Sequence, residues 1–437
     1  MKKRTSFARP VYLVDGSRSP FLKAQGKPGP FSASDLAVAA ARPLLLRQLA
    51  NDGLIDEVIL GCVMPGADEA NIARVVALRC GLGEQTPAWT VQRNCASGLQ
   101  AIDSAAHDIA SGRAELVLVG GTEAMSHAPV LFNHRMVEWL SMWLRARSVG
   151  ARLQAVGRLR PAMFSPIIGL LRGLTDPVVG LSMGQTAEVL AHRFAISREE
   201  MDAYALRSHE RLAHAEDEQY LDEIVSLFAD DGRLFETDEG LRREGDMSQL
   251  ARLRPAFDRL DGKVTPGNSA QITDGAAMLL LASEKAIEKH ALPVLARIID
   301  SEWAGLDPAQ MGLGPVHAMT PLLKRHKLSL DEIDYWEINE AFAAQVLACL
   351  AAWRDAKYCR EHLHSRTAMG EIDTQKLNID GGGISLGHPV GASGARIVLH
   401  LAKTLKRTGA QRGMASLCIG GGQGGAMLIE RVPGEAA

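Results

Sequence analysis

The sequence predicts an α/β protein made of two similar halves. Three observations predict it: aliphatic runs of strand length alternate with alanine-rich stretches of helical period, a glycine-punctuated pattern recurs near each end, and a middle segment of different texture separates the two occurrences. Residues 11–14 open the first half as a short β-branched run, and residues 57–60 and 116–119 repeat the type. Between the last two, Leu99, Ile102, Ala106 and Ile109 recur at helical spacing, as expected of a helix with one buried face. Residues 278–281 read as a strand returning to the first core. The second half follows with strands at 335–338, 414–419 and 426–429, and Ile397, Leu401 and Leu405 mark another buried helical stripe.

The repeat consists of small residues in a fixed order. Cys95-Ala96-Ser97-Gly98, a helix, Gly112, a strand and Gly120-Gly121 parallel Gly391-Ala392-Ser393-Gly394, a helix, Gly409, a strand and Gly420-Gly421. A second echo pairs Ile55-Asp56-Glu57-Val58 with Asp331-Glu332-Ile333-Asp334, each leading into a strand and then a loop. Two echoes in the same order favour a duplicated architecture. The expected units are 1–125 with 262–285 for the first half, 126–261 for an insertion mounted on it, and 286–437 for the second half.

Composition narrows the function classes. A chain of 437 residues exceeds one ordinary core, and 46% hydrophobic with 23% charged residues is the balance of folded domains. A formal charge of −3 supplies no overall attraction to nucleic acid, which is not expected as a partner. The cysteines, Cys62, Cys80, Cys95, Cys349, Cys359 and Cys418, show no CxxC spacing, so neither a metal site nor a disulfide framework is expected. Lys2 and Lys3 are followed by Arg4-Thr5-Ser6-Phe7-Ala8-Arg9-Pro10, without the apolar run of an export signal, and no segment reaches membrane-spanning length. A reduced, cytoplasmic setting is the expectation.

Four short segments carry residue types suited to chemistry. In Asn94-Cys95-Ala96-Ser97-Gly98 the cysteine stands just before a helix whose first amides and dipole favour a thiolate, although a lone cysteine is commonly a core filler. In Gly381-Gly382-Gly383-Ile384-Ser385-Leu386-Gly387-His388-Pro389 a histidine lies among residues small enough for close approach of a ligand. It is placed to accept a thiol proton or, equally, to play a structural role in a turn. Cys418-Ile419-Gly420-Gly421-Gly422-Gln423-Gly424-Gly425 puts a second thiol at a strand end. It runs on into a strand rather than a helix, so it fails the dinucleotide-binding pattern. Asn339-Glu340-Ala341-Phe342 follows a strand, where Asn339 is suited to hold a water or, more simply, to cap a helix.

Taken together, in order and spacing, these segments resemble the thiolase family over essentially the whole chain. The resemblance implies two βαβαβαββ halves in a five-layered αβαβα arrangement, with an inserted loop domain over CoA. It implies that Cys95 is the acyl-accepting nucleophile, His388 its base, and Cys418 the acid and base for the second proton. Asn339 would hold a water that forms one oxyanion site with His388, and the amides of Cys95 and Gly420 would form the other. Met183, Phe257, Ser269 and Phe342 would line the acyl and pantetheine path. CoA and 3-ketoacyl-CoA are the implied substrates, with no metal or redox cofactor, and a homodimer or tetramer is the implied assembly. The implied reaction is thiolytic cleavage of 3-ketoacyl-CoA in fatty acid β-oxidation.

Departures from the family pattern also carry information. Ser182 stands where short-chain biosynthetic members tend to have histidine, which speaks against acetoacetyl-CoA synthesis, and Ala270 replaces a serine that often touches pantetheine. The long insertion and the extra segment 354–376 look like the β-subunits of trifunctional fatty-acid-oxidation complexes, implying a hydratase/dehydrogenase α-subunit as partner. Those subunits usually carry histidine where this chain has Asn339. Residues 130–174 hold seven arginines and one acid, Glu138, around Trp139, Leu140, Trp143 and Leu144. Such an amphipathic stretch suits an anionic membrane surface, CoA phosphates or a subunit interface. The rival readings are a decarboxylating ketoacyl synthase, a hydroxymethylglutaryl-CoA synthase and a catalytically silent lipid or CoA scaffold. Two thiols and His388 in glycine loops favour the enzyme.

Overall fold

Aliphatic runs become the strands of one mixed sheet of ten, joined by the glycine-rich turns. The computed structural model describes residues 7–48 and 54–432, and Lys2 to Ser6, considered for an export signal, lie outside them. In chain order the long strands are β1 (Val11–Arg18), β2 (Glu57–Gly61), β3 (Ala88–Val91), β4 (Leu116–Ala124), β5 (Thr273–Ser283), β6 (Ala296–Gly305), β7 (Tyr335–Ile338), β8 (Arg412–Ile419) and β9 (Gln423–Glu430). Their order is β7-β8-β9-β6-β1-β5-β4-β2-β3, with the short strand Leu22–Lys23 paired to the start of β5.

Read outward from its centre, the sheet is duplicated. β1 and β5 pair antiparallel, as do β6 and β9; β5 with β4 and β9 with β8 are again antiparallel; β4 with β2 and β8 with β7 are parallel. The outermost strand of the first half, β3, has a reduced counterpart in one parallel bridge between Trp336 and Leu377. The halves meet where β1 and β6 pair over three residues, Val11 to Leu13 against Ile298 to Ala296.

The longer helices are α1 (Ala33–Gln48), α2 (Ile72–Arg79), α3 (Ser97–Ser111), α4 (His134–Arg145), α5 (Val149–Gly157), α6 (Met183–Arg193), α7 (Arg198–Asp217), α8 (Gly314–His326), α9 (Ala343–Arg354) and α10 (Ser393–Thr408). α1 and α2 cover one face of the first half-sheet and α8 one face of the second; α3 and α10 lie between the two half-sheets and pack on each other, so the layers run αβαβα. The predicted stripes Leu99, Ile102, Ala106, Ile109 and Ile397, Leu401, Leu405 share one buried cluster with β1, β4 and β8. Burial of each large aliphatic side chain there contributes about 1.5–3 kcal/mol.

Glycine lets the two central helices touch at their first turns. A Cβ on Gly98 would lie 2.9 Å from the Ala395 nitrogen, and one on Gly394 would lie 2.6 Å from the Leu99 nitrogen. The contact is reciprocal, so it brings both helix starts, with Cys95 before one and the His388 loop before the other, to a single place.

Buried charge ties the insertion to this core. Arg18 of β1 donates to both Asp238 oxygens at 2.7 and 2.8 Å and to Glu223 at 3.3 Å, and Glu223 also contacts His400 of α10 at 3.0 Å. Within the insertion the tryptophans differ from expectation. Trp139 and Trp143 stack at 5.7 Å, and Trp139 donates to the Ala155 carbonyl of α5, so the rings join α4 to α5 instead of forming an outward face. Val130, Leu131, Phe132, Leu144, Leu153 and Phe164 are exposed instead. Among the described residues no helix is long and apolar enough to cross a membrane.

Candidate active site

Cys95 stands one residue before Ala96, the N-cap of α3. Asn94 before it has φ +44°, a left-handed conformation that asparagine tolerates, and its Nδ2 donates to the Gly420 carbonyl at 2.8 Å. The Gly420 N–H is directed at the Cys95 sulfur. Gly420 opens the β8–β9 turn, in which Gly421 and Gly422 have φ of +90° and +74°, a bend that side chains would strain. Cys418 lies at the end of β8, buried, and feels the charge of Cys95.

Thiolate formation at Cys95 is not favoured by its position alone. Burial pushes its thiol up, and the N–H groups of Gly420 and of Cys95 itself offset this only in part. Burial raises Cys418 well above the usual thiol range, with Cys95 and Cys349 adding to the effect. The expectation that the helix start would favour a resting thiolate is therefore corrected: desolvation outweighs the amides. Both sulfurs need a base.

His388 is neutral and able to accept a proton. Burial and the charge of Arg396 push its pKa down to about 4, so the ring is neutral at pH 7. Nδ1 lies 2.6 Å from Ser393 Oγ, and that hydroxyl donates to the Pro389 carbonyl at 3.1 Å. With its one proton committed, Ser393 accepts from Nδ1–H, which leaves Nε2 as the unprotonated nitrogen. The His388 N–H donates to the Gln271 carbonyl at 3.0 Å and holds the loop.

Asn339 follows β7 and places Nδ2 3.5 Å from His388 Nε2. It does not cap a helix, since the N-cap of α9 is Phe342. Its Oδ1 is buried and has no hydrogen-bond partner within the protein, which suits a water held beside His388. Glu340 fixes this corner by accepting from Tyr204, Ser208 and Asn378 at 2.7–3.0 Å and from the Ile384 N–H at 3.2 Å.

The four expected substrate contacts fare differently. Met183 opens α6 and its sulfur borders Gly420, 3.3 Å from where a Cβ would stand. Phe257 and Phe342 meet edge to face at 6.0 Å. Ser269 is bridged to Phe342, but its hydroxyl donates inward to the Thr265 carbonyl at 2.7 Å, so it has no proton left for pantetheine. Two residues of the site were not singled out by the sequence, Asn94 and Ser393, although both lie inside its small-residue motifs. Among the described residues no cluster is placed to hold a metal ion.

A duplicated α/β frame with a cysteine against an amide, a neutral imidazole and a second buried thiol defines an enzyme of covalent acyl transfer. Comparison with known proteins makes this specific. Residues 11–285 match the thiolase N-terminal domain and residues 292–431 the thiolase C-terminal domain; the chain belongs to the thiolase family and is an acyltransferase. It is 38% identical over 427 residues to the mitochondrial 3-ketoacyl-CoA thiolase of Rattus norvegicus, covering 97% of this chain and 98% of the relative. It is 36% identical over 438 residues to the mitochondrial trifunctional enzyme subunit beta of Bos taurus, covering 99% and 91%. The crystal structure of human mitochondrial 3-ketoacyl-CoA thiolase in complex with CoA superposes with a TM-score of 0.83 at 37% identity, covering 98% of this chain and all of that one.

Proposed function

We propose that this chain is a 3-ketoacyl-CoA thiolase of fatty acid β-oxidation, cleaving its substrate with CoA to acetyl-CoA and a shortened acyl-CoA. The observation that carries the reading is the fastening of the Cys95 turn to the loop after Cys418, where Asn94 Nδ2 donates to the Gly420 carbonyl at 2.8 Å and the Gly420 N–H is directed at the Cys95 sulfur. His388 takes the Cys95 proton as the sulfur attacks the 3-keto carbon. The carbon–carbon bond breaks toward the thioester, His388 Nε2 and the Asn339 water hold the enolate oxygen, and Cys418 protonates the carbanion. Free CoA passes its proton to the Cys418 thiolate and attacks acyl-Cys95. The departing sulfur recovers its proton from His388, while the amides of Cys95 and Gly420 hold the oxyanion. Protons balance over the cycle, and the covalent relay divides one hard step into two.

Met183, Phe257 and Phe342 form the apolar side of the acyl and pantetheine path in this reading; Ser269 supports the loop from behind. Ser182 caps α6 through its hydroxyl, which leaves it no resemblance to the histidine of biosynthetic members. The test is CoA-dependent loss of 3-ketoacyl-CoA over a range of acyl lengths. Cys95→Ser should lower kcat by about 10³-fold or more, and comparable turnover by both proteins would end the assignment.

Assembly and place extend the reading. A homodimer or tetramer is proposed, checked by light scattering. The exposed apolar residues and arginines of 130–174 support contact with an anionic membrane or with an α-subunit. Flotation with anionic vesicles at low salt tests the first, and co-purification tests the second. The six unpaired thiols support a reducing, cytoplasmic setting, which fractionation would check.

A further inference from the structure

Cys95 and His388 come from different halves, so the path of the proton between them depends on how the His388 loop is seated on the first half. One side chain spans that seam. Glu123, just inside the end of β4, is fully buried. Its Oε2 accepts the Val63 N–H and its Oε1 the Met64 N–H, each at 2.9 Å, in the loop that follows β2. The Gly391 N–H, in the turn between His388 and α10, is directed toward the same carboxylate, whose Oε2 lies 2.7 Å from where a Gly391 Cβ would stand, and the Cys62 thiol lies 3.7 Å from Oε1.

The fit at the seam is close. A Cβ on Gly391 would lie 2.7 Å from Glu123 Oε2 and 3.1 Å from the Cys62 Cα, and the Gly391 carbonyl fills the space beside Gly98 and Gly121. A carboxylate is the side chain that can satisfy three amides at once, because both oxygens accept; a carboxamide offers one acceptor and presents donors to donors.

We infer that Glu123 is a positioning residue for the thiolase reaction: by accepting the amides of Val63, Met64 and Gly391 it clamps the His388 loop of the second half onto the Cys95 side of the first. The clamp rests on the proposed roles of Cys95 and His388. Burial pushes the Glu123 carboxyl up to about 7, so its acceptor capacity changes close to neutral pH. The titratable groups around it are Cys62 from the β2 loop, Cys95 from the start of α3, and Glu69, which acts on Cys62. A charged Glu123 opposes a resting thiolate at Cys95, which leaves thiol activation to His388.

The experiment follows alkylation of Cys95 by iodoacetamide from mildly acidic to mildly alkaline pH, beside steady-state thiolysis, in the native chain, Glu123→Gln and Glu123→Asp. Alkylation reads the Cys95–His388 pair without any ketoacyl substrate. Absence of thiolysis in the native chain would therefore count against the reaction, not against the clamp. In Glu123→Gln, Cys95 alkylation near neutral pH should slow by about tenfold and kcat should fall by about 10²-fold, with KM for CoA unchanged and the alkylation profile changed in shape near pH 7, where Glu123 titrates in the native chain. Glu123→Asp, which keeps both acceptors on a shorter arm, should recover part of the loss. Native alkylation rates and pH profile in Glu123→Gln, per folded molecule, would overturn the inference even if the variant melts earlier. Should Glu123→Gln not fold, the same native behaviour in Glu123→Ala, which keeps no acceptor, would overturn it.

Discussion

At the start of α3 the chain has Cys95-Ala96-Ser97-Gly98, and at the start of α10 it has Gly391-Ala392-Ser393-Gly394. The two helices touch through equivalent glycines, yet their equivalent serines serve different ends. Ser97 Oγ donates to the Asn94 carbonyl at 2.7 Å and accepts the Arg93 N–H at 2.8 Å, shaping the turn that presents Cys95. Ser393 Oγ donates to Pro389 and accepts from His388, setting the tautomer of the base. The strand ends differ in the same way: β4 ends near a buried carboxylate, and β8 near a thiol and a glycine turn. A duplicated backbone places both helix starts symmetrically, and single side chains then give the proposed nucleophile to one half and the proposed base and second thiol to the other. Neither half has the full set.

That division can be broken by experiment. Removing the second thiol should have the largest effect: Cys418→Ala should lower the thiolysis kcat by about 10²–10⁴-fold, the usual range for a lost acid–base group. Near-native turnover would mean that the second half supplies no proton. Asn339→Ala should lower kcat by about 10²-fold with KM for CoA little changed, as for loss of one oxyanion contact. A change confined to KM would move Asn339 out of the chemistry.

The serines sharpen the comparison directly. Ser393→Ala should cost about tenfold in kcat, because the imidazole loses the acceptor that fixes its tautomer. Ser97→Ala should instead cost about 1 kcal/mol of stability, the typical worth of one hydrogen bond. Denaturant melts and kinetics on both variants would show whether the equivalent positions have diverged as stated.

The smallest expected effect is on stability against pH. His400 loses favour for its proton through burial, but Glu223 and Asp380 outweigh this and raise its pKa to about 10. A raised value means that its stabilising contribution is complete below the unfolded pKa of about 6.5 and is lost as pH climbs through about 10. The melting temperature should therefore fall by a few degrees between neutral pH and that range, and His400→Gln should flatten the fall. A native curve that is level over this interval would remove His400 from the fastening between insertion and core.

Much of the fold was legible because strand and helix periods are local properties. Residues 335–338 form β7 as expected, and 414–419 fall inside β8, since alternating or continuous aliphatic runs have one favourable way to be buried. The tryptophans of α4 were legible as amphipathic but not as to which partner they meet, because α5 competes with any outside surface for the same rings. Asn339 shows a similar limit. An asparagine after a strand suits a helix cap, and only the start of α9 four residues later rules the cap out.

Order and type of residues along the chain determined the duplicated α/β architecture, since periodicity and glycine spacing are written in the sequence itself, and the resemblance of four short segments to the thiolase family made Cys95, His388 and Cys418 the candidates. Tertiary structure alone decided the protonation of the two thiols, the unprotonated nitrogen of His388, the inward bond of Ser269 and the seam at Glu123. Each of these depends on burial and on groups brought together from distant parts of the chain, and solvent exclusion changes the energy of a charge by more than any neighbouring residue in sequence can.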